Sequence, residues 1–163
     1  MPTPKEPGPG QESVWDYPRP PALEPVKKQI RVVFSDTTIA DTTDALRVLE
    51  TSHPPVYYLP PEDIATAHLE QERRTTMCEF KGRAVYHTVT VGNRSAQSAG
   101  WSYPNPVDRY AELVDHVAFY PSKMDACYVG DEEARAQGSD FYGGWITDDI
   151  VGPFKGAPGT MGW

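Results

Sequence analysis

This sequence predicts an all-β domain with one or two short helices and an extended segment at each end. Three observations carry that expectation. About eight short β-prone runs recur at a spacing of roughly 8–12 residues. Dipeptides rich in Pro, Gly, Asn and Asp separate them. No long helical stretches alternate with the strands, as a parallel α/β fold would require.

The elements follow in chain order. Residues 1–13 are mostly Pro, Gly and charge, a disordered-tail composition, and eight of the 17 prolines fall in the first 25 residues. Residues 14–29 read as an extended strap, with Trp15 and Tyr17 between prolines as anchors. Ile30–Phe34 and Thr37–Thr42 form a hairpin about Ser35-Asp36. Residues 45–50 are ambiguous between strand and helical turn. Val56–Leu59 is a strand closed by Pro60-Pro61. Pro61 and the acids after it suggest a short helix that ends near Gln71. Thr75–Phe80 is a strand that turns at Lys81-Gly82. Ala84–Val91 alternates in side-chain character and turns at Gly92-Asn93. Ser98–Tyr103, His116–Tyr120 and Met124–Val129 complete the strands, with one or two helical turns expected over Val107–Val114. The expected core therefore spans 30–132. Residues 133–163 form a second strap, with aromatics at Phe141, Tyr142, Trp145, Phe154 and Trp163. Seven of the 13 glycines lie in the last 26 residues.

The chain has 163 residues, enough for one domain with a core of its own. Its 15 basic and 23 acidic residues give a net charge of −8. That balance argues against nucleic acid and against an anionic membrane surface as partners. No apolar run is long enough for a transmembrane helix, and the start MPTPKEPGPGQES has no apolar signal region. The expected location is the cytoplasm. Two cysteines do not make a disulfide scaffold. No dinucleotide fingerprint, phosphate loop, HExxH or CxxC is present. The histidines lack ligand spacing, so no metal and no cofactor are expected.

Several residues are candidates for chemistry. Cys78 precedes Lys81 by three positions. In a straight strand the two face apart, but a turn starting at Glu79 would bring them together. An ammonium beside a thiol favours the reactive thiolate; equally, a free cysteine is an ordinary small core residue. Cys127, inside a strand, reads as core. Glu50 follows an apolar run and is either a buried acid–base group or the partner of Arg47 or another arginine. Trp101 and Tyr103 are two apart and share a strand face. With Tyr57, and with Tyr86 or Tyr120, they could line a pocket for a planar or cationic small molecule, or simply form a β core. Asp148-Asp149 reads as a solvated pair rather than a metal site.

The runs ALRVLETSHPPVYYLP, Thr76-x-Cys78-x-x-Lys81-Gly82, AGWSYPNP and VAFY, in that order, resemble domain-of-unknown-function family 427, a bacterial and fungal family. The resemblance covers about Ile30–Gly130. It implies the small coiled-sheet architecture called the β-tent, shared with methionine sulfoxide reductases and with thalidomide-binding domains that carry an aromatic cage. Many β-tent proteins hold zinc on two CxxC knuckles, and this sequence has none. The family also carries a nucleotidyltransferase label. Such enzymes combine a Gly-Ser turn with a spaced Asp pair for two metals, and that combination is not found. The residues at family-like positions are Glu50, Tyr57, Cys78, Lys81, Tyr86, Trp101 and Tyr103.

Three functions are compatible with this sequence. The leading one is a binding domain for an unknown small molecule, with Tyr57, Tyr86, Trp101 and Tyr103 as walls and Glu50 and Lys81 orienting polar groups. The second is an enzyme with Cys78 as nucleophile or redox thiol, Lys81 as its activator and Glu50 or Tyr86 as proton-transfer partner. The third is an interaction module whose aromatic ends dock on a partner or on a second copy, giving a homodimer.

Overall fold

A computed structural model of the chain describes residues 2–78, 80–138, 142–156, 159, 160 and 163. Phe141 and Glu79, both named above, lie outside the described residues. The chain is all-β. Its strands are β1 (Glu12–Ser13), β2 (Ala22–Pro25), β3 (Ile30–Phe34), β4 (Thr37–Thr42), β5 (Leu46–Leu49), β6 (Val56–Leu59), β7 (Leu69–Cys78), β8 (Gly82–Val91), β9 (Arg94–Ser102), β10 (Val117–Phe119), β11 (Ala126–Val129), β12 (Glu132–Glu133), β13 (Arg135–Ala136), β14 (Trp145–Ile146) and β15 (Ile150–Val151). Helical structure among the described residues is confined to 3-10 turns. None of it is long and apolar enough to cross a membrane.

An antiparallel seven-stranded sheet runs β2-β5-β6-β10-β9-β8-β7, and a four-stranded one runs β12-β11-β3-β4. The β3–β4 hairpin turns at Ser35 and Asp36, whose φ angles of 51° and 58° match the primed turn that strand twist favours. Alternation along β3 buries Ile30, Val32 and Phe34 and leaves Arg31 and Val33 half-buried. These side chains join Ile39, Cys127 and Val129 of the smaller sheet. Opposite them stand Tyr57, Leu59, Val89, Ala99, Val117 and Phe119 of the larger sheet, forming one core between the two.

The helix expected after Pro61 is replaced by two 3-10 turns, Pro61–Asp63 and Thr66–His68. Ile64, between them, bridges to Ala40 and so fixes an extended backbone there. From Leu69 the chain is already strand, with a register shift between Gln71 and Thr75. The run Glu70–Arg74 hides this from a hydrophobicity pattern because β7 is the exposed edge of the sheet. Charged side chains there discourage further strand pairing. Within residues 45–50, Leu46–Leu49 form strand β5, paired on both sides.

Described residues from both terminal segments pack on this body. β1 pairs in parallel with β15. The Trp15 indole donates to the Pro153 carbonyl at 2.9 Å and packs 5.3 Å from the Trp163 ring. Arg47, on β5, binds Glu12 and Glu24 at 3.1 and 2.6 Å. Burial opposes ionisation of Glu12, but hydrogen bonds from Arg47 and Tyr17 outweigh it and hold the carboxyl below its ordinary range.

Candidate functional site

Strand register builds the site. Tyr86 of β8 lies opposite Trp101 of β9, Trp101 opposite Ala118 of β10, and Ala118 opposite Tyr58 of β6. Directly opposed residues share a sheet face, so this row lies on one face, away from the inter-sheet core. Ala118 is the small member. Across it the indole N–H of Trp101 donates to the Tyr58 hydroxyl at 3.2 Å, and the rings meet edge-on at 6.1 Å. Tyr120 packs against Trp101 at 4.7 Å, and Tyr103 lies 6.2 Å from Tyr58. Burial pushes the phenol of Tyr120 up to about 12 and raises Tyr58 and Tyr103 as well. All three are neutral hydroxyls at pH 7.

Beside this aromatic row the side chains are smaller. Thr76 of β7 faces Ala84 of β8, and both line an open cavity of about 340 Å³. Of the seven residues singled out in the sequence, six line it: Glu50, Cys78, Lys81, Tyr86, Trp101 and Tyr103. The seventh, Tyr57, does not. It sits opposite Arg47 in the next row, where the pleat turns it into the inter-sheet core, 5.0 Å from Trp145. Its neighbour Tyr58 takes the place on the wall.

The Cys78–Lys81 pairing depends on the turn after β7. Gly82 has a φ of +112°, a conformation side chains disfavour, and the Val107 N–H donates to the Lys81 carbonyl at 3.0 Å. The turn folds Lys81 back, and its ammonium donates to Cys78 Sγ at 3.7 Å. Lys81 is only 8 % exposed, whereas Cys78 is partly accessible. Cys127 is buried in the inter-sheet core, and burial pushes its thiol far up.

Glu50 enters from the end of β5. It pairs with Arg19 at 3.5 Å, not with Arg47, and lies 3.9 Å from His53 Nε2. His53 is held down at about 4 by burial first and then by Lys155, Arg19 and Lys81 around it. The Glu50 oxygen is too distant for a charged hydrogen bond and is shared with Arg19. His53 is therefore neutral at pH 7.

The remaining wall comes from far along the chain. Tyr142, Gly143 and Lys155 line the cavity. Tyr142 stands edge-on to His53 at 5.4 Å, and the Lys155 ammonium lies 5.5 Å from the Tyr142 ring centre. Sequence reasoning did not assign His53, Tyr142 or Lys155 to the site. The glycine-flexed aromatic segment after residue 133 was the available signal. Asp148 is engaged by Arg135 at 3.0 Å, and Asp149 faces Lys28 at 3.5 Å and accepts from Thr147. No cluster of three or more metal-ligating side chains occurs among the described residues.

Fold and site together define an all-β domain with an aromatic cavity on the outer face of its main sheet. Residues 22–130 match the family described as a domain of unknown function, DUF427. The chain belongs to that family. No curated protein matches it at a significant level. The matched stretch contains Glu50, Tyr58, Cys78, Lys81, Tyr86, Trp101, Tyr103 and Tyr120. Arg19, Tyr142, Gly143 and Lys155 lie outside it.

Proposed function

We propose that this domain binds a small planar molecule in the aromatic cavity. The observation that carries the reading is the Tyr86–Trp101–Tyr58 row beside an open volume of about 340 Å³. That volume falls in the range of small-ligand pockets, about 300–1,000 Å³. Flat rings gain from stacking or edge contacts with such walls, about 0.5–1.5 kcal/mol per aromatic pair beyond area burial. Tyrosine hydroxyls and Lys81 supply polar contacts that fix orientation. Flat bicyclic compounds such as 2-naphthamide and 2-naphthoate at millimolar concentration are expected to raise the melting temperature and change tryptophan fluorescence. Ligand at about 100 times its Kd adds about 2.7 kcal/mol to stability. An unchanged melt and unchanged emission across such a panel would remove the reading.

One observation favours a second reading, a thiol enzyme: the 3.7 Å contact between Lys81 Nζ and Cys78 Sγ beside the cavity. A cation next to sulfur favours the thiolate. Iodoacetamide is expected to modify Cys78 at least tenfold faster than Cys127, and Lys81→Met is expected to slow the reaction at Cys78. If Lys81→Met leaves that rate unchanged, the ammonium does not activate the sulfur, and Cys78 is only a wall of the cavity.

A further inference from the structure

We infer that the cavity selects an anion, a flat molecule whose carboxylate sits on the Lys81 ammonium. This rests on the small-molecule reading above and names the ligand's charge. Lys81 is 8 % exposed. Its ammonium meets only Cys78 Sγ among the described residues, at 3.7 Å, and forms no ion pair with any described carboxylate. Sulfur is a weak acceptor. A buried ammonium is costly unless a counter-charge or strong acceptors compensate it, and the described residues supply neither. The cavity lies open beside it, so the missing counter-charge can come from solution.

The other charges around the cavity point the same way. Glu50 is the one acid among its described lining residues, and Arg19 already holds it at 3.5 Å. Lys155 faces the π surface of Tyr142 at 5.5 Å and forms no ion pair with a described residue. Among the described lining residues, two cations therefore remain against one compensated carboxylate. The positive field is also felt by His53, which burial and then Lys155, Arg19 and Lys81 hold in its neutral form. The chain as a whole carries −8, so this local excess of positive charge does not follow from composition. The phenols of Tyr58 and Tyr103, kept neutral by burial, add hydroxyl groups without negative charge. A lysine offers a point charge rather than a bidentate fork. A carboxylate on a flat ring system satisfies it while the rings lie against Trp101 and Tyr86.

The test compares three probes of nearly the same shape by fluorescence titration of the full chain: 2-naphthoate, 2-naphthamide and 2-naphthylmethylammonium. The expected order is naphthoate at least tenfold tighter than the amide, with the cation weakest. Lys81→Met, with its fold checked by circular dichroism, is expected to bind naphthoate no more than about threefold tighter than the amide, the share left to Lys155. Lys155→Met is expected to weaken naphthoate two- to threefold. Bound naphthoate is also expected to slow iodoacetamide modification of Cys78, because the carboxylate would lie beside the sulfur. Equal affinity of naphthoate and naphthamide for the wild-type chain would overturn the charge assignment and leave the aromatic pocket standing. Preference for the ammonium probe would overturn it in favour of Glu50 as the selecting group. Absence of binding by all three would overturn both readings. The wild-type comparison decides the matter even if a Lys81 variant fails to fold.

Discussion

Trp145→Ala is expected to destabilise the domain by about 3–5 kcal/mol, the usual cost of truncating a buried tryptophan. Trp145 lies in a two-residue strand outside both main sheets, yet it has no solvent exposure. Its ring packs against Tyr57 at 5.0 Å, and its indole N–H donates to the Phe119 carbonyl at 3.0 Å. Its backbone N–H donates to Pro55 at 2.8 Å. Alanine would leave a cavity between the sheets and strip the Phe119 carbonyl of a donor. For a chain of this size each kcal/mol shifts the melting temperature by roughly 2–4 °C, so a fall of about 10 °C is expected in a thermal melt. Trp163, part-exposed and touching Trp15, serves as the contrast, with a shift of about 2 °C or less. Similar shifts for the two variants would mean that the segment after residue 133 does not seal the core.

Gly143→Ala is expected to disrupt the cavity and to lower stability by about 1–3 kcal/mol, the range for forced overpacking. A Cβ built at Gly143 would lie 2.2 Å from Cη2 and 2.7 Å from Cζ3 of Trp101. Retreat of the indole would break contacts that hold it in place. Tyr120 packs against it and Tyr58 accepts its N–H. The segment carrying Tyr142 and Gly143 must therefore lift, taking one wall with it. A melt lowered by several degrees and at least tenfold weaker naphthoate binding are the expected readouts. A variant that melts and binds like the wild type would show that this segment does not rest on Trp101.

Much of the strand pattern was legible because alternation and turn residues are local signals. Ser35-Asp36 and Gly92-Asn93 marked their hairpins, and alternation marked β8. The first half of β7 was not legible: its residues are charged because it is an edge, and edge position belongs to the assembled sheet. The choice between Tyr57 and Tyr58 was hidden for a similar reason. Adjacent strand residues always face apart, but which face carries the cavity depends on register with β5 and β10. Trp101 and Tyr103 could be paired from spacing alone. The Cys78–Lys81 contact was legible only as a condition on the turn at 79–82. His53, Tyr142 and Lys155 meet across roughly 90–100 residues of sequence, a separation at which no local pattern reports contact.

The cavity has two jaws of different origin. One is the sheet, whose tyrosines, tryptophan, thiol and buried lysine all fall within the stretch that matches the family. The other is laid over it by residues 142–155, with Arg19 behind Glu50, all outside that stretch. Ring stacking and the deepest charge belong to the fixed jaw, while the width of the gap and the second cation belong to the overlaid one. On the small-molecule reading, substitutions at Tyr142 and Lys155, which leave the buried Trp145 in place, are therefore expected to change which molecules fit without rebuilding the sheet surface.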